Sequence, residues 1–201
     1  MNDRTKEYYN LNSKKIFARY DNAKMTHLHQ LFLNEILPGN KILDIGFGSG
    51  RDLNFLLNNG CDIWGVDSSE NFVKMAKKRF LNMANHFTVG ALPISSLPDS
   101  YPEKFDIIIL IAVWMHIPRE LYEKSTRSIY NLVQTKGKVI INYSKGEREK
   151  GERAFFEVDS ELLRNLFEGY GLNRAYRCIS DDSLGRNNLK WITEVYKNDR
   201  R

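Results

Sequence analysis

The sequence has few residues that could stabilise a fold through covalent or metal bonds. Only Cys61 and Cys178 among its 201 residues are cysteines, and neither has partners at the spacing of metal ligands. A disulfide framework and a zinc site are therefore not predicted, and we expect no metal. The sequence favours two free, buried thiols.

Long apolar runs are also missing. No stretch approaches the length of about 18 apolar residues that a membrane-spanning helix needs, and residues 1–10 are polar and charged. We therefore expect a cytoplasmic protein without a membrane partner. A chain of 201 residues with 42% hydrophobic content can bury one sizeable core, so a single domain over residues 1–201 is predicted.

Charge of one sign is not concentrated anywhere. The net charge is +5, but the 30 basic residues are scattered among 25 acidic ones. The densest basic run, residues 77–79, lies within a helical apolar period and is interpreted as a solvent-exposed face. His27 and His29 are two positions apart on a predicted helix, so they do not form a metal pair. A nucleic-acid partner is not favoured, although RNA stays open.

The most informative segment is the glycine-containing run of residues 42–50. A short apolar strand ends at Ile45, and Gly46, Gly48 and Gly50 then allow a tight turn and close approach to a ligand. The next helix directs its free N–H groups at that ligand. Asp67 follows Gly46 by 21 residues, close to the offset of about 20 at which an acid binds ribose hydroxyls. A nucleoside site is predicted.

The spacing of the glycines separates two classes of nucleoside ligand. A dinucleotide fingerprint has its third glycine where this chain has Arg51. Asp44 precedes Gly46 by two residues, and its carboxylate would repel a pyrophosphate. The pattern therefore argues against a nicotinamide dinucleotide.

Helix and strand patterns alternate along the chain with short connections, which predicts an α/β fold with a mostly parallel sheet covered on both faces. A helix is predicted to begin with Pro118 at its first position, and Gly137 to end the turn that follows the helix. Strands are predicted at residues 41–45, 62–66, 86–89, 105–111 and 138–143, and a final hairpin at 172–180 and 188–196.

Three segments together resemble the motifs of class I S-adenosylmethionine-dependent methyltransferases. They are the Asp-x-Gly-x-Gly-x-Gly pattern of residues 44–50, the strand and His-Ile-Pro step of residues 105–118, and the strand that begins near residue 137. The resemblance covers about residues 8–197 and is most similar to small stand-alone enzymes of the tellurite-resistance and quinone-biosynthesis types. It implies a doubly wound, Rossmann-like sheet of seven strands whose last strand is antiparallel to its neighbours.

The resemblance also implies the organisation and function of the chain. Residues 1–37 would form a helical lid, 38–143 the cofactor-binding core, and 144–201 the substrate-side loops and hairpin. The expected activity is in-line transfer of a methyl group from S-adenosylmethionine to a small polar molecule, with S-adenosylhomocysteine as product. An RNA or protein methyltransferase and a non-catalytic nucleoside-binding module are the alternatives. A monomer or weak homodimer is expected.

The same resemblance implies the contacts of the cofactor. Asp44 would face its amino group, Asp67 its ribose, and Ala91 and Leu92 its adenine. The full set expected to contact the cofactor is Tyr20, Asp44, Gly46, Gly48, Arg51, Asp67, Ser68, Ala91, Leu92 and Ile111. Two positions depart from the family pattern: Ala91 stands where many relatives have an acid, and Phe47 where a small residue is usual. The Phe47 ring lies near the cofactor or turns into the core.

The chemistry needs few side chains, because the methyl group of a sulfonium is already activated. His116, just beyond strand four, is the candidate general base, with capping or packing of the next helix as the alternative. Tyr8 and Tyr9 are interpreted as packing on a surface helix. Charged loops near residues 145–153 and 181–188 would select the acceptor. The candidate acceptor-binding residues are Arg148, Arg153, Phe155 and Arg186.

Overall fold

The computed structural model describes residues 3–21, 23, 25–146, 153–182 and 188–200. Its helices are α1 (Asp3–Leu11), α2 (Ser13–Asp21), α3 (Thr26–Glu35), α4 (Arg51–Asn58), α5 (Glu70–Arg79), α6 (Tyr122–Leu132) and α7 (Ser160–Gly169). Its strands are β1 (Lys41–Ile45), β2 (Asp62–Asp67), β3 (Phe87–Val89), β4 (Phe105–Ile111), β5 (Val133–Lys145), β6 (Leu172–Asp181) and β7 (Lys190–Asn198). Short 3-10 turns lie at Leu81–His86, Trp114–His116 and Arg119–Leu121.

The strands form one seven-stranded sheet in the order β3-β2-β1-β4-β5-β7-β6. The strands from β1 to β5 pair in parallel, and β7 lies antiparallel between β5 and β6. This confirms the predicted fold class, including the antiparallel last strand. The strand order reverses between β1 and β4, and ligands of such sheets bind where the order reverses.

The core occupies both faces of this sheet, because the central strands are apolar on both sides. Ile42 and Leu43 on β1 are fully buried, and they belong to different clusters. One cluster joins the sheet to Phe32 on α3, and the other joins it to Phe167 on α7. Helices therefore cover the two faces, as the alternating pattern predicts.

Two predicted boundaries were wrong in detail. Strand β5 begins at Val133 rather than residue 138, and its pairing with β4 shifts register between Phe105 and Ile107. A Cβ on Gly137 would lie 2.8 Å from Val133 Cγ2, so this glycine allows an irregular strand rather than ending a turn. Pro118 has extended geometry and precedes a 3-10 turn instead of being the first residue of α6.

The two cysteines are free. Cys61 is buried, as predicted, whereas Cys178 is half-buried on the edge strand β6, so the expectation of two buried thiols was wrong for Cys178. Within the described residues no group of histidine, cysteine and acidic side chains could hold a metal ion.

The helices of the described ranges are too short or too polar to cross a bilayer.

Candidate active site

The glycine turn after β1 takes backbone conformations that side chains rarely adopt. Gly46, Gly48 and Gly50 have φ of +81°, +56° and +75°. A Cβ on Gly46 would lie 2.4 Å from Val113 Cγ2, a distance that requires some movement. Because these glycines have no side chains, the backbone of the turn can lie close to the segment after β4, and its N–H and C=O groups can be reached by a ligand.

Asp67, at the end of β2, is joined to this turn. Its carboxylate accepts hydrogen bonds from Gly48 N at 2.9 Å and Ser69 N at 2.8 Å. Burial raises its pKa to about 6, although both backbone donors favour the ionised form. A carboxylate accepts up to about four hydrogen bonds, so Asp67 keeps capacity for the two hydroxyls of a ribose.

Asp44 is a second buried carboxylate in the same region. Burial and the neighbouring negative charges of Asp52 and Asp67 raise its pKa well above the ordinary range, while Arg51 opposes the shift. Among the described residues we find no hydrogen bond donated to this carboxylate. A positively charged group beside Asp44 would compensate its burial, and the ammonium group of a bound methionine moiety has that charge.

Arg51 opens α4 and is already engaged by protein groups. Its guanidinium donates to both oxygens of Asp52, at 3.0 and 2.7 Å, and to the carbonyl oxygen of Tyr20 at 3.2 Å. His29 lies 2.7 Å from Asp52 and stacks on Phe55 with ring centroids 4.0 Å apart. These donors lower the pKa of the buried Asp52 carboxyl despite its desolvation. His29 therefore helps to hold Asp52 and Arg51 behind the glycine turn. The spacing of His27 and His29 along the helix did not predict this role.

Two adjoining cavities open at this edge of the sheet. The smaller, of about 70 Å³, lies beside Asp67, and the larger, of about 250 Å³, lies beside Asp44 and Arg153. The residues that line both are Tyr9, Tyr20, Gly46, Gly48, Ile111, Ala112 and His116. The cavities therefore meet around His116.

The structure brings most of the predicted site residues to these cavities. Asp67, Ser68, Ala91 and Leu92 line the smaller cavity. The larger one is lined by Asp44, Arg51, Arg153 and Phe155 among the predicted residues. Tyr20, Gly46, Gly48, Ile111 and His116 line both. Arg148 and Arg186 lie outside the described residues. The role of each side chain stays a prediction.

His116 is buried at the junction, where both ring nitrogens have partners. Nδ1 lies 2.8 Å from the carbonyl oxygen of Ala154 and Nε2 lies 3.2 Å from the Tyr9 hydroxyl. A carbonyl oxygen only accepts hydrogen bonds, so Nδ1 carries a proton. In the neutral imidazole Nε2 then has the free electron pair, which is the state a general base requires.

The structure contradicts the prediction that Tyr9 packs on a surface helix. Its hydroxyl contacts His116 and accepts a hydrogen bond from Arg153 Nη1 at 3.3 Å. The Arg153 guanidinium also lies over the rings of Tyr8 and Phe155, 5.1 and 4.8 Å from their centroids. Tyr9 is more than 100 positions from both His116 and Arg153 in the sequence. Local residue spacing therefore contains no signal for these contacts.

Polar groups from β5 and β7 form another wall of the larger cavity. Asn142 Nδ2 donates to Thr193 Oγ1 at 2.8 Å, and Trp191 Nε1 donates to Asp182 at 2.7 Å. Within the described part of the chain, the Asn142 side-chain oxygen has no hydrogen-bond partner. A buried polar atom without a partner is costly, so this wall suits a ligand that carries a donor.

Ala112 and Phe47 show how the segments around the cavities are built. Ala112, directly after β4, has φ of +61°, a strained conformation for a residue with a Cβ. The Phe47 ring turns into the core, where it packs edge-on against Phe87 at 5.7 Å. A Cβ on Gly65 would lie 2.6 Å from that ring, so glycine at this position of β2 makes room for it.

Comparisons with known proteins agree with this geometry. Residues 42–137 match the family model described as a methyltransferase domain. Ubiquinone biosynthesis O-methyltransferase of Nitrosospira multiformis is 23% identical over 150 residues, which cover 75% of this chain and 61% of that protein. The chain spans 34% of the length of the Idiomarina loihiensis protein of the same name and 61% of the Nitrosospira one, so it covers less than two thirds of either relative.

Solved structures share the fold over nearly the whole chain. The TehB-like SAM-dependent methyltransferase of Corynebacterium glutamicum has 20% identity and a TM-score of 0.68, with coverage of 97% of this chain and 98% of that one. The 1,6-didemethyltoxoflavin-N1-methyltransferase of Burkholderia thailandensis, solved with bound 1,6-didemethyltoxoflavin and S-adenosylhomocysteine, has 16% identity and a TM-score of 0.73, with coverage of 97% of this chain and 87% of that one.

Residues 42–137 thus match a methyltransferase domain, and the sheet order and the glycine turn agree with the class I S-adenosylmethionine-dependent type. This confirms the resemblance inferred from the sequence and its cofactor, S-adenosylmethionine.

Proposed function

We propose that the protein transfers a methyl group from S-adenosylmethionine to a hydroxyl group of a small polar molecule. The observation that carries this proposal is the position of His116 at the junction of the two cavities, with Nδ1 2.8 Å from the Ala154 carbonyl oxygen and Nε2 facing the Tyr9 hydroxyl. A hydroxyl must lose its proton during methylation, and a base at this position would accept it.

The residues of the smaller cavity and the Asp44 side of the larger one fit the cofactor. Asp67 would accept hydrogen bonds from the ribose hydroxyls, and Ala91 and Leu92 would border the adenine. Asp44 would pair with the ammonium of the methionine moiety, since its buried carboxylate faces other negative charges. S-adenosylmethionine supplies a methyl group attached to a positively charged sulfur, so the protein has to orient the acceptor and exclude water.

The rest of the larger cavity fits the acceptor. Arg153 and Phe155 line one part of it, and the Asn142 wall lines another, so it offers aromatic surface together with polar groups. A volume of about 250 Å³ favours a small molecule over a nucleic acid or a folded protein. Arg148 and Arg186 stay candidate acceptor contacts on sequence grounds alone.

The relatives support oxygen as the methylated atom, because the curated ones are named ubiquinone biosynthesis O-methyltransferases. We keep the division into a lid (1–37), a cofactor core (38–143) and a substrate-side segment (144–201) as part of the proposal. A cytoplasmic location and a monomer or weak homodimer also stay predictions.

A direct test measures S-adenosylhomocysteine formation with a panel of small catechols and phenols as acceptors. We expect turnover with at least one of them, and a loss of about 10²-fold in kcat for His116→Asn with nearly unchanged S-adenosylhomocysteine affinity. His86→Asn is the matched control, since His86 Nδ1 donates to the Ile63 carbonyl oxygen and the ring stacks on Trp64, away from the cavities.

The alternatives give different results in the same assay. A non-catalytic module would bind S-adenosylhomocysteine without turnover on any hydroxylated, RNA or protein acceptor. Turnover on RNA or protein alone would contradict a small-molecule acceptor. Normal turnover by His116→Asn would return His116 to a structural role.

A further inference from the structure

We propose that Tyr9 is a catalytic residue that relays the acceptor's proton to His116, and that Arg153 positions Tyr9 for this transfer. The inference rests on the proposed function, since it concerns an acceptor hydroxyl. It assigns a chemical role to the first helix of the chain, which would otherwise only cover the site.

The relay follows from the order of the contacts. Arg153 donates to the Tyr9 hydroxyl, and that hydroxyl lies against the basic nitrogen of His116. Tyr9 and His116 both line the two cavities, but His116 is only 3% exposed and the Tyr9 hydroxyl covers its Nε2 at 3.2 Å. An acceptor in the larger cavity therefore meets the Tyr9 hydroxyl in front of His116 Nε2.

Several contacts keep Tyr9 in this position. Its ring packs edge-on against His116, with centroids 5.8 Å apart, and contacts Phe72 at 6.3 Å. The backbone N–H of Ala154 donates to Thr5 Oγ1 at 2.9 Å, so α1 is joined to the segment that also holds His116 Nδ1. Moving Tyr9 away from His116 would break contacts with Arg153 and with both rings.

The protonation state of each group suits a relay. Burial and the nearby Tyr20 raise the pKa of Tyr9 far above its ordinary value, so its phenol stays protonated and cannot itself keep the acceptor's proton. The Arg153 cation acts in the opposite direction and favours the negative charge that develops on the oxygen during transfer. The imidazole is the group that can hold the proton at neutral pH.

The step balances as follows. The acceptor O–H bond breaks and its proton passes to Tyr9 Oη, while the Tyr9 O–H bond breaks and that proton passes to His116 Nε2. The electron pair of the acceptor oxygen forms the bond to the methyl carbon, and the pair of the broken carbon–sulfur bond stays on sulfur. Tyr9 is regenerated, and His116 becomes an imidazolium that loses its proton to solvent after product release.

The test compares Tyr9→Phe with wild type, with catechol as the acceptor probe. Removing one oxygen should lower kcat by about 10²-fold, leave the acceptor KM within about threefold, and leave S-adenosylhomocysteine affinity unchanged by calorimetry. Tyr8→Phe is the matched control, because Tyr8 is adjacent on α1 and also contacts Arg153, and it should retain full turnover.

A second readout does not depend on turnover. Nitrogen NMR of His116 should show a proton on Nδ1 in wild type and Tyr9→Phe alike, with the Nε2 resonance of the variant moved towards that of an imidazole without a hydrogen bond. Arg153→Met should lower kcat by several-fold and keep the Nδ1 proton; an unchanged kcat would remove Arg153 from the relay.

Two failures are distinguishable. If wild type and Tyr9→Phe turn over equally, or the variant is faster because His116 is uncovered, the relay is wrong and the proposed function stands. If wild type forms no S-adenosylhomocysteine with catechol or any other hydroxylated probe, the proposed function fails and the relay fails with it.

Discussion

The carboxylate of Asp67 accepts a hydrogen bond from Gly48 N at 2.9 Å, which joins the end of β2 to the glycine turn after β1. One side chain therefore holds the turn in place and still has capacity for a ribose. We therefore expect the affinity for the cofactor and the conformation of the turn to be coupled through Asp67.

Asp67→Asn should weaken S-adenosylhomocysteine binding by about 1.5 to 3 kcal/mol, because charged hydrogen bonds to the ribose are lost, which corresponds to roughly a ten- to hundredfold change in Kd. Isothermal titration calorimetry gives the value. Asp62→Asn, at the exposed opposite end of the same strand, should bind like wild type. Equal affinity of all three folded proteins would remove Asp67 from the site.

The affinity should also depend on pH through Asp67, whose pKa is about 6 in the protein without cofactor. The ribose hydroxyls donate to the ionised carboxylate, so affinity should be constant above about pH 7 and fall by up to tenfold per unit below pH 6. Binding at pH 6 should release protons, which calorimetry in two buffers of different ionisation enthalpy detects. Asp67→Asn should show neither effect in this range, and a wild type without them would contradict the assignment.

The raised pKa of Asp67 makes folding stability depend on pH in the opposite direction from cofactor affinity. The protonated carboxyl favours the folded state below about pH 4, and this contribution is lost as the pH rises through 6. The protein without cofactor therefore gains no stability from an ionised Asp67 at neutral pH, and the cofactor has to supply the compensating donors.

Gly46→Ala tests the close contact between the glycine turn and Val113. Both Gly46 and Gly39 have positive φ, of +81° and +83°, but only Gly46 has a neighbour, Val113, where its Cβ would lie. Gly39→Ala should cost about 1 to 2 kcal/mol for the conformation alone. Gly46→Ala should cost about 1 to 3 kcal/mol more, measured by urea unfolding. Adding Val113→Ala should recover part of the loss; no recovery would show that the contact is not the cause.

His29→Ala tests the pair behind the turn. Losing the hydrogen bond to the buried Asp52 carboxylate should lower the free energy of unfolding by about 1 to 3 kcal/mol. His27→Ala, at an exposed position of the same helix, should change it by less than about 0.5 kcal/mol. The Asp52 pKa is lowered, so its contribution is present above about pH 4 and is lost as the pH falls further. Equal stability of the two variants at pH 7 would contradict a role for His29.

The sequence predicts those parts of the fold that depend on local patterns. The apolar run before Gly46 and the acid at residue 67 predict β1, the turn and the end of β2, because short-range sterics and strand burial decide them. The start of β5 was missed, since the strand continues across Lys136, whose left-handed φ of +62° interrupts the extended backbone and is imposed by tertiary pairing rather than propensity.

The candidate site likewise contains residues that the sequence predicts and residues that it does not. Asp44 and Asp67 follow from spacing along the chain and reach the cavities as expected. Tyr9 does not, because its importance comes from meeting His116 and Arg153, which only the folded chain brings together. A tyrosine on a short amphipathic helix has the same local pattern whether its hydroxyl faces solvent or a buried imidazole.

Ala112 adopts a left-handed conformation at φ of +61° where the two cavities meet. Glycine would take this conformation with less strain, by an amount of about 1 kcal/mol or more. A programme that selects thermostable variants from backbone geometry would therefore choose Ala112→Gly early. That choice would also remove a methyl group from the wall that the two cavities share, so a gain in melting temperature at this residue would come with a change in the shape of the proposed acceptor site.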